Sequence, residues 1–222
     1  MQIPITARLK TVAELMEETD VLCDIGCDHG YLPIYLIAQK KIKKAYACDL
    51  RDGPLKTASR NISAFHMKDC IQTVKSNGLR ELTALTYDTI SVCGMGGRLI
   101  AEILANDLDN AYRAKQLVLQ PQSEIPVLRK FLAENGFLIC EEKIAVEDRR
   151  YYVVMSVIKG EEVNRDEMSF ILGRKLLERK DDITKRYFTK ELQRFQTILQ
   201  ARGGETNAPD VQKIICELEK YV

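Results

Sequence analysis

The chain has 222 residues, 45% of them hydrophobic and 29% charged, which is enough for one main domain with a real core and a small appendage. With 33 basic and 32 acidic residues the formal net charge is +1, so bulk charge favours neither nucleic acid nor a membrane as partner. No segment approaches the ~18 apolar residues of a membrane span, and we expect a soluble chain without a targeting segment.

The seven cysteines are scattered along the chain, and several lie inside apolar runs. None forms a Cys-x-x-Cys pair with histidine partners, so no metal site is expected. We interpret them as reduced, mostly buried thiols, which are typical of a cytoplasmic protein.

Short apolar segments alternate with longer helical patterns over the first two thirds of the chain. After an opening helix at residues 6–16, strands are predicted at residues 21–25, 44–48, 71–76, 89–93 and 116–119. Helices are predicted between most of them, at residues 31–39, 53–66, 98–105 and 124–135. This alternation predicts an α/β fold with a doubly wound, mostly parallel sheet that is covered by helices on both faces.

The pattern changes after residue 136. Two strand-like runs, 137–146 and 151–159, are separated only by a charged turn, which indicates a terminal antiparallel hairpin with one antiparallel strand at the sheet edge. From about Glu161 the strand patterns stop, and two helical patterns flank the break at Gly203 and Gly204. The sequence therefore predicts a main domain at residues 1–160 and a C-terminal helical hairpin, coiled-coil-like, at residues 161–222.

The segment CDIGCDHG, residues 23–30, joins the first predicted strand to the following helix. Ligands of doubly wound sheets bind at this place, and Gly26 and Gly30 let the backbone approach a ligand closely. A dinucleotide fingerprint needs a glycine where this chain has Asp28, whose carboxylate would repel a pyrophosphate. NAD is therefore disfavoured, whereas Asp24 and Asp28 favour a positively charged ligand without phosphate, such as S-adenosylmethionine.

Polar or glycine-rich segments also follow the next three strands. Asp49 lies 19 residues after Gly30, where an acid accepts hydrogen bonds from ribose hydroxyls. Asn77 could read an adenine edge by its amide, and the glycine-dense segment CGMGG, residues 93–97, would open the pocket floor toward an acceptor. Each feature has an ordinary alternative as a helix cap or tight turn, but their joint spacing favours a nucleoside ligand.

Five segments carry a family resemblance: ITARLKTVAELM, CDIGCDHGYLPIYL, RDGPLKTASRNI, ISVCGMGGRLIAEIL and LVLQPQSEIPVLRKFL. Together with the C-terminal helical hairpin they resemble, in order and over the whole chain, the TrmK family of bacterial tRNA (adenine-22 N1)-methyltransferases. The resemblance implies a class I methyltransferase fold, S-adenosylmethionine as methyl donor, and an adenine in the D arm of certain tRNAs as acceptor.

The resemblance also implies which residues bind the donor. It places the first motif around the methionine portion, Asp49 at the ribose, and Asn77 with Gly78 beside the adenine. Family members have an acid where this chain has Asn77 and a glutamate where it has Asp49. The complete donor set is Asp24, Gly26, Asp28, Gly30, Asp49, Asn77, Gly78 and Gly94.

Four residues are candidates for the catalytic step. Asp28 would stabilise positive charge on the methylated adenine, His29 and Tyr31 would orient or stack the base, and Met95 would line its face. A hydrogen-bonded loop histidine is an equally good interpretation of His29. No strong base is required, because N1 of adenine carries a lone pair and needs chiefly exposure and positioning.

The expected partner is tRNA, with neither DNA nor a membrane, and we expect a cytoplasmic monomer. Local basic clusters are candidates for phosphate contacts, and the C-terminal hairpin is expected to present a phosphate-binding face. The clusters are Lys40–Lys44, Arg98, Arg149–Arg150, Arg174–Lys175 and Arg179–Lys180. The alternatives are a class I methyltransferase acting on a small molecule or protein, and a catalytically inactive RNA-binding relative.

Overall fold

The structure is a computed structural model that describes residues 2–163, 165–204 and 207–222. The chain forms two compact units, Met1–Arg165 and Asp166–Val222. The strands of the first unit are β1 Val21–Ile25, β2 Lys44–Asp49, β3 Ile71–Lys75, β4 Thr89–Met95, β5 Gln116–Pro121, β6 Phe137–Glu147 and β7 Arg150–Lys159. Its α-helices are α1 Ala7–Leu15, α2 Tyr31–Ala38, α3 Asp52–Ala64, α4 Gly97–Ala105, α5 Leu108–Arg113 and α6 Ile125–Glu134.

The seven strands form one sheet in the order β3-β2-β1-β4-β5-β7-β6. Strands β1 to β5 pair in parallel, and β7 is antiparallel to both of its neighbours. The expected α/β fold with a mostly parallel sheet and a terminal hairpin is therefore confirmed. The order reverses between β1 and β4, and such a switch point opens a crevice at the carboxyl ends of the strands.

One detail of the hairpin differs from the expectation. The antiparallel strand β7 lies second from the edge, between β5 and β6, and β6 forms the edge itself. The crossover through α6 carries β6 one strand position beyond β5, and the chain then folds back into that gap. The turn is tight because Asp148 and Arg149 both have positive φ, 48° and 60°, as a hairpin turn compatible with strand twist requires.

The central strands form because their sequences are continuously apolar and are covered on both faces. Leu22 and Cys23 in β1, Ile90 and Val92 in β4, and Val118 in β5 are fully buried. The helices add one apolar face each, and α1 begins at Thr6, whose hydroxyl accepts a hydrogen bond from the Leu9 amide at 3.3 Å. In the first unit the sequence pattern does not predict two short elements, α5 and a 3-10 turn at Arg80–Ala84, because they are too short to show a hydrophobic period.

The second unit is helical. A π-helical turn, Ser169–Gly173, precedes α7 Arg174–Leu177, α8 Asp182–Ala201 and α9 Pro209–Leu218. Helices α8 and α9 pack against each other, and the rings of Phe188 and Tyr221 lie 5.8 Å apart. Within the described ranges, no helix combines the length and the apolar character that crossing a membrane requires.

The start of α8 corrects one detail of the predicted helical pattern. The sequence pattern included Ile183 in the apolar face, but its side chain is 42% exposed, and Thr184 is buried instead. Asp181 caps the helix by accepting hydrogen bonds from the amide and the hydroxyl of Thr184, both at 2.9 Å. This cap turns Thr184 inward and leaves Ile183 on the solvent side.

Candidate active site

A cleft of about 370 Å³ opens at the carboxyl ends of β1, β2 and β4, beside the point where the strand order reverses. It is formed by the ends of these strands, the loops that follow them, and one face of α1. The residues that line it are Arg8, Leu9, Asp24, Gly26, Cys27, Asp28, His29, Tyr31, Leu32, Asp49, Arg51, Cys93, Gly94, Met95 and Gln122.

The loop between β1 and α2 gives the cleft a floor of bare backbone. The amides of Gly26 and Cys27 donate to the Cys48 carbonyl at 2.8 and 3.0 Å, which fixes the loop against β2. Gly26 has φ 73°, and a Cβ at this position would collide with Cε of Met95. Asp28 has φ 48°, the left-handed conformation that aspartate tolerates better than most residues. The loop therefore makes its sharp turn with a carboxylate where a dinucleotide motif has glycine.

Asp24 is the buried acid of the site. Only 4% of its surface is exposed, and its Oδ1 accepts a hydrogen bond from the Ser91 hydroxyl at 2.7 Å. Burial raises its pKa to about 6, the Ser91 hydrogen bond opposes this rise, and the negative charge of Asp49 adds to it. At neutral pH most of the protein therefore carries a buried negative charge at the end of β1, and no cation is paired with it within the described ranges.

Asp49 ends β2 beside this group. Its surface is 6% exposed, and its Oδ1 accepts a hydrogen bond from the Arg51 amide at 2.9 Å. The guanidinium of Arg51 lies 3.7 Å from the Asp49 carboxylate, but the Arg51 side chain is 76% exposed. It therefore approaches the carboxylate from the solvent and neutralises its charge only weakly. Asp49 is thus held in a fixed rotamer at the edge of the cleft, as a residue that accepts hydrogen bonds from a ligand needs to be.

Three side chains stand at the mouth of the cleft. His29 Nε2 lies 3.3 Å from Asp28 Oδ2, and both side chains are more than half exposed. The His29 ring is stacked on Tyr31 with centroids 5.7 Å apart and an interplanar angle of 25°. Such a pair of aromatic faces at an opening can accept a third flat ring.

The GMGG segment at the end of β4 is shaped by its contacts with β5. Gly94 has φ 79°, and its amide donates to Gln120 Oε1 at 3.1 Å, where the pairing of β4 with β5 is irregular. Gly97 donates from its amide to the Ser123 carbonyl at 2.8 Å, and a Cβ there would overlap the backbone of Glu124. The two glycines let β4 end close against β5, which leaves the cleft open above Gly94.

Two cysteines line the cleft but are poor nucleophiles. Burial and the nearby negative charge of Asp24 raise the pKa of Cys27 and of Cys93 far above neutrality. Both are therefore neutral thiols at physiological pH, and they contribute packing to the wall of the cleft.

Eight of the eleven residues that the sequence assigned to the site line this cleft. Three do not, namely Gly30, Asn77 and Gly78. Gly30 has φ 70° at the start of α2, and a Cβ there would lie 3.2 Å from the Cβ of Ala58, so this glycine lets α2 pack closely on α3.

The loop after β3 is organised by one glutamate. Glu81 Oε2 accepts hydrogen bonds from the Asn77 amide at 2.9 Å and from the Ser76 hydroxyl at 2.8 Å. Gly78 has φ 64° and packs against Ile103. Asn77 itself is exposed beyond the end of β3, so a contact between its side chain and an adenine stays a prediction.

The sequence patterns do not predict several of the lining residues, among them the two arginines Arg8 and Arg51. Arg8 comes from the part of the chain farthest from the predicted motifs. It lies in α1, and its Nη1 donates to Gln120 Oε1 at 2.6 Å across a separation of 112 residues. Gln122 lines the cleft from the same strand end. Both glutamines belong to the LQPQ segment that carries part of the family resemblance, but no local sequence pattern shows that α1 reaches this segment.

Comparison with known proteins gives one consistent result. A family model described as a methyltransferase domain matches residues 5–155. The tRNA (adenine(22)-N(1))-methyltransferase of Bacillus subtilis is 30% identical over 98% of this chain and 95% of its own length.

Solved structures agree over nearly the whole length. Mycoplasma capricolum TrmK, in complex with S-adenosyl-homocysteine, is 30% identical, with a TM-score of 0.82 over 98% of this chain and 97% of that one. Streptococcus pneumoniae Sp1610, in complex with S-adenosyl-L-methionine, is 30% identical, with a TM-score of 0.88 over 98% and 99%. On its sequence and fold, this chain belongs to the tRNA (adenine(22)-N(1))-methyltransferase family.

Proposed function

We propose that this protein transfers the methyl group of S-adenosylmethionine to N1 of adenine 22 in the D arm of tRNA. The observation that carries the proposal is the cleft itself, in which the left-handed glycine loop of Gly26 meets the buried carboxylates of Asp24 and Asp49. The acceptor is inferred from the family to which the chain belongs, because the B. subtilis relative acts on this adenine.

The residues of the cleft fit the donor by charge and by shape. Three carboxylates and two guanidinium groups line it, a net charge of −1 with His29 neutral. The donor carries an ammonium, a sulfonium and a carboxylate, a net charge of +1, and has no phosphate. In this proposal Asp49 accepts hydrogen bonds from the ribose hydroxyls, the backbone at Gly26 approaches the donor closely, and Asp24 faces its positive charges. A phosphate-bearing cofactor would add negative charge to a cleft whose own net charge is already negative.

The chemistry needs little from protein side chains beyond positioning and charge. When bound, S-adenosylmethionine supplies a methyl group on a positively charged sulfur, and the lone pair of adenine N1 takes this methyl group. Asp28, at the mouth, is the carboxylate placed to stabilise the positive charge that the adenine gains. A fixed in-line geometry supplies most of the acceleration.

The acceptor base is expected to enter at the mouth of the cleft. N1 lies on the Watson–Crick edge, so the adenine has to leave its stack before it can be methylated. The stacked rings of His29 and Tyr31 offer it a flat surface, and Met95, whose Cε lies next to Gly26, lines the same cleft. Near-native turnover of both Asp28→Asn and His29→Ala at saturating donor and tRNA would contradict these roles.

The basic residues of the first unit lie at two opposite ends of the sheet, some at the amino ends of the parallel strands and some at their carboxyl ends. Lys41 Nζ donates to the Ala13 carbonyl at 2.6 Å, and Lys43 pairs with Asp20 at 2.8 Å. Both lie before the amino end of β2, whereas the cleft lies at the carboxyl ends of the strands. The Lys40–Lys44 cluster is therefore a poor candidate for holding the substrate tRNA. Arg149 lies in the β6–β7 turn and Arg150 begins β7, at the end of the sheet where the cleft opens, and both remain candidates for phosphate contacts.

In the second unit several bases are already paired with acids. Lys175 lies 3.0 Å from Glu178, and Arg179 lies 2.6 Å from Asp181. Lys185 is exposed on α8 and forms no ion pair within the described part of the chain. We therefore assign the tRNA contact of the second unit to the exposed face of α8 around Lys185.

The direct test of the acceptor uses two tRNA transcripts that differ at one base. Methyl transfer from labelled S-adenosylmethionine is measured on a transcript with adenine at position 22 and on the same transcript with guanine there. We expect incorporation only into the first, as N1-methyladenosine by nucleoside analysis. Equal incorporation into both transcripts would show that another nucleotide is the acceptor.

A further inference from the structure

Two glutamines at the end of β5 have different surroundings. Gln120 is completely buried, and its Oε1 accepts hydrogen bonds from Arg8 Nη1 at 2.6 Å and from the Gly94 amide at 3.1 Å. Its Nε2 donates to the carbonyl of Pro121 at 2.8 Å. Both ends of this amide are therefore occupied, and Gln120 serves to hold α1 and the end of β4 against β5.

Gln122 carries the same functional group but keeps it available to a ligand. Its backbone amide donates to the Met95 carbonyl at 2.8 Å, which fixes the residue against the GMGG segment. Its side chain is exposed, lines the cleft, and forms no hydrogen bond with any other residue that the structure describes. The amide thus offers one acceptor oxygen and two N–H donors at the mouth of the cleft.

The position of this amide separates it from the nucleoside of the donor. A Cβ built on Gly94 would lie 3.7 Å from Gln122 Nε2, so the amide stands over the end of β4. Asp49, which we assign to the ribose of the donor, ends β2 on the other side of β1. With neighbouring strands about 4.8 Å apart, the ends of β2 and β5 are separated by about 14 Å. Gln122 therefore stands on the side of the cleft that is left for the acceptor.

A carboxamide complements one edge of adenine. The N6 amino group of adenine donates a hydrogen bond and N7 accepts one, so the oxygen and the nitrogen of a glutamine amide can engage both atoms at once. We propose that Gln122 binds N6 and N7 of the acceptor adenine. The inference rests on the proposed function, and it adds the residue that recognises the acceptor base. This contact does not use N1, which stays open to the methyl group.

The contact would also distinguish adenine from guanine. In guanine, position 6 carries the acceptor O6 beside the acceptor N7. The oxygen of the Gln122 amide would then face an acceptor whichever way the amide is turned, so only one hydrogen bond can form. The stacked rings of His29 and Tyr31 offer a surface to any flat base and make no such distinction.

Other polar side chains of the cleft suit this edge of adenine less well. Arg8 and Arg51 carry donors only, which match the two acceptors of guanine rather than the N6 and N7 pair of adenine. The carboxylate of Asp28 carries acceptors only, so it can bond to N6 but repels N7. Among the described residues that line the cleft, Gln122 alone has a carboxamide.

The experiment changes single atoms of the base and of the side chain. A tRNA with adenosine at position 22, and the same tRNA with 7-deazaadenosine there, in which a C–H group replaces N7, are assembled by ligation. The kcat/KM of N1 methylation is measured on both for the wild type, Gln122→Ala, Gln122→Glu and Gln72→Ala. Gln72 is an exposed glutamine of the edge strand β3 and does not line the cleft, so it serves as the matched control.

The quantity compared is each protein's preference, the ratio of kcat/KM for adenosine to that for 7-deazaadenosine. Removing N7 also alters the basicity of N1, but this effect is the same for every variant and cancels when preferences are compared. We expect the preference of the wild type to exceed that of Gln122→Ala by about 3- to 10-fold, the range of one hydrogen bond. Gln72→Ala should keep the wild-type preference.

Gln122→Glu gives a change of opposite sign. Its carboxylate can still accept from N6, but it repels the lone pair of N7 and does not repel a C–H group. Its preference should therefore fall below that of Gln122→Ala, which a merely structural role of Gln122 would not produce. Both variants should bind S-adenosylmethionine as tightly as the wild type in calorimetry without tRNA, which also shows that they are folded.

Two results would overturn the inference. Equal preferences in the wild type, Gln122→Ala and Gln122→Glu would show that Gln122 does not contact N7. Weaker donor binding by both variants, with the preference unchanged, would show that Gln122 contacts the donor instead. Wild-type protein that binds the donor but methylates neither tRNA at position 22 would refute the proposed function itself, which separates that failure from failure of the Gln122 contact.

Discussion

Asp24 gives the most demanding test of the electrostatics of the site. Its folded-state pKa of about 6 lies above the ordinary value of 3.8, because burial disfavours its charged form. The folded protein therefore binds this proton more tightly than the unfolded chain does. The contribution of this proton to the free energy of unfolding is fully present below pH 3.8 and is lost as the pH rises through 6.

The magnitude follows from the two pKa values. A rise of about two units corresponds to about 3 kcal/mol of stability lost above pH 7, and about half of that is lost by pH 5. Asp24→Asn keeps the shape and can still accept the hydrogen bond from Ser91, but it carries no charge. The variant should therefore be more stable than the wild type by about 3 kcal/mol at pH 8 and by about half as much at pH 5.

The same substitution should weaken donor binding. We expect the affinity of the wild type for S-adenosylmethionine to fall as the pH drops through 6, because protonated Asp24 no longer attracts a cation. Asp24→Asn should bind weakly at every pH. Ser91→Ala removes the hydrogen bond that opposes the pKa rise, so its midpoint for donor binding should move to higher pH.

The assay is urea unfolding of the wild type and Asp24→Asn at pH 5 and pH 8 without ligand, with donor titrations over the same range. The reasoning requires the stability gain of the variant to be larger at pH 8 than at pH 5. A gain independent of pH, or a variant that is less stable than the wild type at pH 8, would refute it. Donor affinity that is flat from pH 5 to pH 8 would show that Asp24 does not face the positive charges.

Three further variants test other parts of the structure. Gly26→Ala should abolish donor binding, since its φ is 73° and the new Cβ would meet Met95. Glu142→Gln should lower the free energy of unfolding by about 3 to 5 kcal/mol, because Arg129 loses the buried charge partner that lies 2.8 Å away. Lys185→Glu should weaken tRNA binding and reduce its salt dependence, with donor affinity unchanged.

Each has a matched control. Gly53→Ala adds a Cβ that meets nothing within 4 Å, and should stabilise α3 by about 0.5 to 1 kcal/mol without affecting the donor. Combining Arg129→Met with Glu142→Leu should be less damaging in urea unfolding than Glu142→Gln alone. Lys68→Glu makes the same charge change as Lys185→Glu at an exposed position before β3, away from the cleft, so an equal loss of tRNA affinity there would reject the assignment to α8.

Most of the fold is readable from the sequence, since buried parallel strands are continuous apolar runs. Strand β1 was predicted at its exact bounds because Val21–Ile25 is apolar, apart from Asp24, and ends at a glycine. The order of β7 and β6 was not readable, because a hairpin pattern shows that two strands pair but not which of them joins β5. The crossover through α6 determines which strand pairs with β5, and the length and path of this crossover are properties of the folded chain.

The site was partly readable for a similar reason. Strand ends that follow one another along the chain meet at one edge, which brought Asp24, Asp49 and Met95 together as expected. Arg8 could not be placed, because its contact with Gln120 depends on how α1 packs across the sheet. Sequence patterns predict which residues stand at the ends of the strands. Only the folded structure shows which residues of a preceding helix also line the cleft.

Methyl transfer to natural tRNA tests the proposed activity most directly. Bulk tRNA from a strain that lacks this protein is incubated with the protein and labelled S-adenosylmethionine, and the nucleosides of the product are analysed. We predict label in N1-methyladenosine, at a position that maps to residue 22 of the tRNA. Absence of label in tRNA, from protein that binds the donor in calorimetry, would contradict the account and point to a different acceptor.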